Sequence, residues 1–307
     1  MTGVHQLTRR WNRFFFAPDA AENLAVCRIL FYGGLLALNW HKDFAAWGQI
    51  ADVFWMPEKC WPFEYFNIPL LAPPILGLMS VAWKVSLGLS CLGLLTRLSS
   101  VMSFVLGFYL LGLPHCFGDL AHGDAAAVLI LGVMTLARSG DALSLDSTLW
   151  PRSVASSGEY RWPVRTVWLI LSTVFFAAGY AKLSQGGLGW AFSDNMSFIL
   201  AEHQFPPEHP EALIPWGKWM ARQSWLARGL GLATLILETG YPLAMFSRRA
   251  RFIFVPGMLL SVVGFRVLLG PSFFPLILCH VFWVRWWPQK SRVMIGASSQ
   301  KPHLTAG

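Results

Sequence analysis

The sequence predicts an all-α polytopic membrane protein, a transmembrane helix bundle of about eight spans with aromatic-rich outer loops. Three observations carry that expectation. The 307 residues are 55% hydrophobic and 13% charged, with mean hydropathy +0.48, whereas soluble domains carry about 25% charged residues. In water this composition would leave more apolar surface than one core could hide. Apolar runs of roughly 16 to 21 residues recur along the chain, near the length that crosses a bilayer. Lys and Arg also alternate loop by loop between a rich set and a poor set, as membrane orientation requires.

The first run is Leu24–Trp40. It follows Arg9, Arg10 and Arg13, as the apolar region of a signal peptide would. The residues after it, His41-Lys42-Asp43, offer no small-residue cleavage site, so it reads as a retained helix. The other runs are Leu76–Leu95, Leu98–Leu113, Leu120–Ala137, Val164–Leu183, Leu226–Phe246, Phe252–Leu269 and Phe273–Trp287. They form a single transmembrane domain over residues 1–290, followed by a short polar cytoplasmic tail over 291–307.

The basic set comprises Arg9, Arg10, Arg13, Arg97, Arg138, Arg152, Arg161, Arg165, Arg248, Arg249, Arg251, Lys290, Arg292 and Lys301. The opposite loops hold Lys42, Lys59, Lys218 and Arg222. Both termini are therefore expected in the cytoplasm. The net charge of +8 belongs to this loop pattern. No basic stripe with interleaved aromatics marks a soluble segment, so nucleic acid is not an expected partner, whereas membrane lipids are. Two outer segments, His41–Pro69 and Gly186–Trp225, are too aromatic for flexible linkers and read as covers over the helix ends.

Five cysteines occur without a CxxC spacing, so no zinc or thioredoxin-type site is written here. Cys60 and Cys116 both fall in outer loops, where an oxidising compartment would permit a disulfide; two isolated thiols are the alternative.

Ionisable groups inside apolar runs are costly and therefore functional candidates. They are Arg28, Lys84, Asp124, Lys182, Glu238, Arg266, His280 and Arg285. Arg28 and Glu238 fall at a shared depth of roughly 9–12 Å when counted along straight helices, so they are expected to form a structural ion pair. Lys84 and Arg285 can snorkel. His115, Cys116, Asp119, His122 and Asp124 crowd the outer start of the fourth run, and Lys182 ends the fifth on the same side. A His, two carboxylates and a Lys can thus share one outward-facing pocket. The His-x-Asp spacing matches no standard metal site, so no metal is expected. No nucleophile elbow, Walker loop or dinucleotide fingerprint occurs.

Three stretches carry a family resemblance. They are Arg28-Ile-Leu-Phe-Tyr-Gly-Gly34, then His122-Gly-Asp-Ala125 followed at a helix length by Ser139-Gly-Asp-Ala-Leu-Ser-Leu-Asp146, and Ala178-Gly-Tyr-Ala-Lys182-Leu183. In order and spacing they resemble the horizontally transferred transmembrane domain (HTTM) family, which includes the vitamin K-dependent gamma-glutamyl carboxylase, over nearly the whole chain. The resemblance implies Lys182 as a base, with His122 handling the substrate carbanion and Asp124 beside it. It also implies a reduced quinone such as vitamin K as cofactor, and a bacterial inner-membrane location.

The departures are specific. Ala121 stands where the family has Asn, and Ser184-Gln-Gly-Gly-Leu-Gly-Trp190 replaces an Asp-Trp. The large luminal portion with which the carboxylase holds its substrate has no counterpart. Two function classes follow from the resemblance. One is a non-catalytic helper in handling or maturation of a secreted peptide or protein. The other is a membrane enzyme with carboxylase-like, quinol-linked or proton-abstracting chemistry. A transporter is a distant third, because no inverted repeat is visible.

Overall fold

The computed structural model describes residues 3–118, 122–151, 153–204, 212–270 and 273–287. Among them every regular element is helical, apart from one isolated bridge between Asp19 and Ser157. Helix α1 (Gly3–Phe16) is amphipathic. At 100° per residue, Leu7, Trp11, Phe14 and Phe15 share one face, Arg9 and Arg13 lie on the other, and Arg10 sits at the boundary beside Phe14. Helix α2 (Ala21–Asn39) buries Leu24, Cys27, Phe31, Tyr32 and Leu35 in the main core. Short 3-10 turns and α3 (Trp61–Tyr65) lead to α4 (Pro73–Leu92). Prolines open α4, where a missing N–H costs nothing. Gly93 closes it in the left-handed region (φ 70°), which a Cβ would oppose.

Helix α5 (Thr96–Cys116) packs beside α4, and α6 (His122–Leu136) packs beside α5. The α4–α5 seam is joined by polar side chains. Trp83 Nε1 donates to the Ser103 carbonyl at 2.9 Å, and Ser103 Oγ donates to Ser86 Oγ at 3.0 Å. Small hydroxyls of this kind let apolar helices approach closely and add hydrogen bonds across the contact. After α7 (Leu145–Leu149), the long α8 (Trp162–Gly186) runs to the opposite end of the bundle. There α9 (Gly189–Phe192), α10 (Asn195–Glu202) and α11 (Trp216–Ala221) form a small satellite with its own core. Helices α12 (Ser224–Gly240), α13 (Leu243–Phe246) and α14 (Arg248–Leu268) follow. Then α15 (Phe274–Cys279) and a 3-10 turn, His280–Trp283, return against α2 and α6.

Among the described residues, five helical segments are long and apolar enough to cross a membrane: α2, α4, α5, Gly158–Gly186 and α14. The remaining apolar runs make shorter helices. Gly240 and Pro242 break the Leu226–Phe246 run into α12 and α13, because Pro242 cannot continue an α-helical hydrogen-bond ladder. The Phe273–Trp287 run divides into α15 and the 3-10 turn. The expected tail over 291–307 and the basic residues Arg152, Lys290, Arg292 and Lys301 lie outside the described residues.

Candidate functional site

Lys182 lies one turn from the C-terminal end of α8, and its partner is Glu238 of α12. Lys182 Nζ donates to both carboxylate oxygens, at 2.9 Å to Oε1 and 2.7 Å to Oε2. The side chains are 26% and 8% exposed, so solvent screens the pair weakly. The Trp190 ring centroid lies 5.4 Å from Nζ and adds a cation–π contact. Gly179 makes the pairing reachable. A Cβ there would stand 2.9 Å from Glu238 Cβ and 2.8 Å from Thr239 Cγ2, so only glycine lets α12 come this close. One turn later, Lys182 is aimed at the same stretch of α12. The Ala178-Gly-Tyr-Ala-Lys182 stretch is thus a helix-contact element with a charge at its end.

The expected Arg28–Glu238 pair is therefore corrected. Arg28 is fully buried, and its guanidinium donates to backbone carbonyls of the segment after α6: Ser139, Ala142 and Leu143. The shared-depth count treated residues 226–246 as one straight helix, and the break at Gly240 and Pro242 invalidates it. A carbonyl cluster also satisfies a guanidinium without a second buried charge. The same segment carries Asp146, whose carboxylate accepts from Leu95 N (2.8 Å), Thr96 N (2.7 Å) and Thr96 Oγ1 (2.7 Å). Leu95 has no capping side chain and sits at φ 47°. Asp146 supplies the missing acceptor to the first amides of α5 from a distance in sequence. Partial burial works to raise the Asp146 carboxyl, but the Thr96 and Leu95 hydrogen bonds and the nearby Arg28 charge hold it below the usual carboxylate range. Arg28 and the Ser139–Asp146 stretch thus tie three helix ends into one structural knot.

Asp124 is buried near the start of α6 and faces Cys279 of α15. Gly123 beside it packs on Pro275 and Leu276. The His122 side chain and Asp119 lie outside the described residues, so the expected Lys182–His122 pocket is not placed. Lys84 reaches the Lys42 carbonyl at 3.1 Å, and Arg285 lies 3.8 Å from Asp19. Arg285 is half-exposed, as a snorkelling arginine would be.

Cys60 and Cys116 are both free thiols and not the expected disulfide, and they lie close enough to interact. The contact is held by the turn before α3, where Met56 N donates to the Cys116 carbonyl at 2.8 Å. Burial pushes the Cys60 thiol up from its ordinary value. Among the described residues, no group of three or more His, Cys, Asp or Glu side chains could hold a metal ion.

The sequence reading singled out His280 but not its buried partner, Tyr241. His280 Nε2 lies 2.9 Å from Tyr241 Oη, and His280 Nδ1 lies 2.6 Å from the Leu276 carbonyl. The neutral tautomer with the proton on Nδ1 satisfies both contacts, with Tyr241 donating. Phe175 and Tyr241 flank the imidazole, and Trp283 packs edge-on against Tyr241. Tyr241 follows Gly240 at the helix break, and that local signal could have marked it. No family model, curated protein or solved structure matches the chain.

Proposed function

We propose that the chain is a multi-pass membrane protein of HTTM type that acts as a non-catalytic helper in handling or maturation of a secreted peptide or protein. In this reading α6, α12 with α13, and α15 with its 3-10 turn cross the bacterial inner membrane together with the five longer segments. The arginine-bearing end and both termini lie in the cytoplasm. The order of the three motifs supports the family, and the alternation of Lys and Arg supports the orientation.

The observation that carries the choice between helper and enzyme is the Lys182–Glu238 ion pair. A catalytic base needs a free lone pair on its amine. Lys182 Nζ instead donates to both oxygens of one carboxylate, within hydrogen-bonding distance of each. That arrangement belongs to an ammonium and suits a structural role. The carboxylase-like reading, with a reduced quinone as cofactor, needs the amine released from Glu238.

A complementation experiment separates the readings. Cells lacking the gene are supplied with wild type or with the double variant Lys182→Met, Glu238→Gln, which replaces the ion pair by neutral side chains of similar shape. The helper reading expects both to restore the secreted product, with no glutamate gaining the mass of carbon dioxide. A null double variant that folds and inserts, together with a carboxylated glutamate in wild type only, would establish the enzyme instead.

A further inference from the structure

At the end of the bundle that carries α1, positive charge exceeds what the protein neutralises. Arg165 of α8 places its guanidinium 3.7 Å from the Trp168 ring centroid and 4.7 Å from that of Phe14. Arg251 of α14 lies 4.1 Å from the same Trp168. Arg161 donates its Nε to the Phe14 carbonyl at 3.1 Å, and Arg251 donates its Nε to the Ala244 carbonyl at 3.1 Å. The charged groups that face Arg165 are Arg161, Arg251, Arg285 and Asp19. Arg248 also faces Arg251. Arg165 thus has three guanidiniums and a single carboxylate around it, and that carboxylate, Asp19, already lies 3.8 Å from Arg285. Arg165 Nη1 is covered and has no hydrogen-bond partner among the described residues. Stacking on aromatic rings holds the guanidinium planes while leaving N–H edges for an anion.

An apolar groove of about 640 Å³ adjoins this cluster. Leu7, Trp11, Phe14, Phe176 and Phe246 line it, with Arg10 at its edge. Phe14 belongs to both features, because Arg165 stacks on the ring that walls the groove. The groove runs between α1 and the lipid-accessible sides of α8 and α13, and Trp11 and Phe246 remain exposed along it. A basic amphipathic helix with exposed aromatics is suited to the headgroup layer of a membrane.

We propose that this groove binds one anionic phospholipid, its phosphate at Arg10, drawn by the field of the Arg161–Arg165 cluster that shares Phe14 with the groove, and an acyl chain along Trp11, Phe14 and Phe246. The excess of guanidinium charge selects an anionic headgroup over a zwitterionic one. The apolar walls select a lipid over a soluble phosphate. The site is independent of any chemistry at Lys182. It would seat α1 on the membrane and pin it against α8 and against Phe246 of α13.

Native mass spectrometry of the full chain in detergent tests the site, with phosphatidylglycerol, phosphatidylcholine and glycerol phosphate as probes. Phosphatidylglycerol should bind at least about fivefold more tightly than phosphatidylcholine, and Arg10→Gln should remove about fivefold of that affinity. Arg10 is exposed on α1, so its replacement leaves the fold intact. Trp11→Glu should abolish retention of phosphatidylglycerol, whereas Lys59→Gln at the opposite end should change nothing. Equal retention of the two lipids, or an Arg10→Gln protein with unchanged affinity, overturns the proposal. So does a site that glycerol phosphate fills equally well in wild type and Trp11→Glu, because the cluster would then bind a soluble anion.

Discussion

Single residues at the basic end show how much depends on acceptors that no side-chain pattern announces. Arg28 stood out in the sequence as a charge inside an apolar run, and it is indeed fully buried. Its acceptors are backbone carbonyls of Ser139, Ala142 and Leu143. Every residue carries a carbonyl, so nothing in the sequence distinguishes these three. Asp146 was legible only as part of a family stretch, and the structure gives it a physical task at the first amides of α5. Its carboxyl is held low in the folded state, so its contribution is present above the unfolded value and fades as pH falls through the folded one. Wild type should therefore lose stability below about pH 4 by this route. Asp146→Asn should cost about 1 kcal/mol at neutral pH and flatten the acid loss, because amide and carboxyl differ only in charge and one donor. Thermal unfolding in detergent across roughly pH 3 to 7 reads both effects. An acid profile identical in the two proteins would remove Asp146 from the account.

Elements were easier to foresee than their ends. The five segments able to cross a membrane all overlap expected runs, because length and apolarity alone define them. The Leu226–Phe246 run misled because mean hydropathy does not register Gly240 and Pro242, which end one helix and start another. Depth counted through that break put Glu238 beside Arg28, when it lies beside Lys182. The α8–α12 contact depends on Gly179, where a side chain would strike Glu238 and Thr239. Gly179→Val should push the helices apart, break the ion pair and destabilise the protein by about 3 kcal/mol, in the range of severe packing errors. Gly229, where an added Cβ meets open space, serves as control, and Gly229→Ala should be neutral or slightly stabilising. Equal melting temperatures for the two variants would mean that α8 and α12 do not need their close approach.

At the scale of the whole molecule, polar side chains concentrate where helices meet. Serines join α4 to α5, Lys182 and Glu238 join α8 to α12, and Tyr241 and His280 join the helix break to the returning 3-10 turn. Lys182 was singled out from its place at the end of an apolar run and from the family stretch. Glu238 was singled out too, but with the wrong partner, and Tyr241 was missed because a tyrosine at a helix end is unremarked without its contact. The central claim is that Lys182 and Glu238 hold two helices together. A double-mutant cycle on thermal unfolding in detergent tests it most directly, using Lys182→Met, Glu238→Gln and the pair combined. Lys182→Met leaves a nearly buried carboxylate without its cation and should cost about 3 kcal/mol. The combined variant should recover about 2 kcal/mol of that, a coupling typical of groups in contact. Strictly additive losses, or a Lys182→Met protein as stable as wild type, would contradict the account, and the second outcome would return Lys182 to the role of a functional amine.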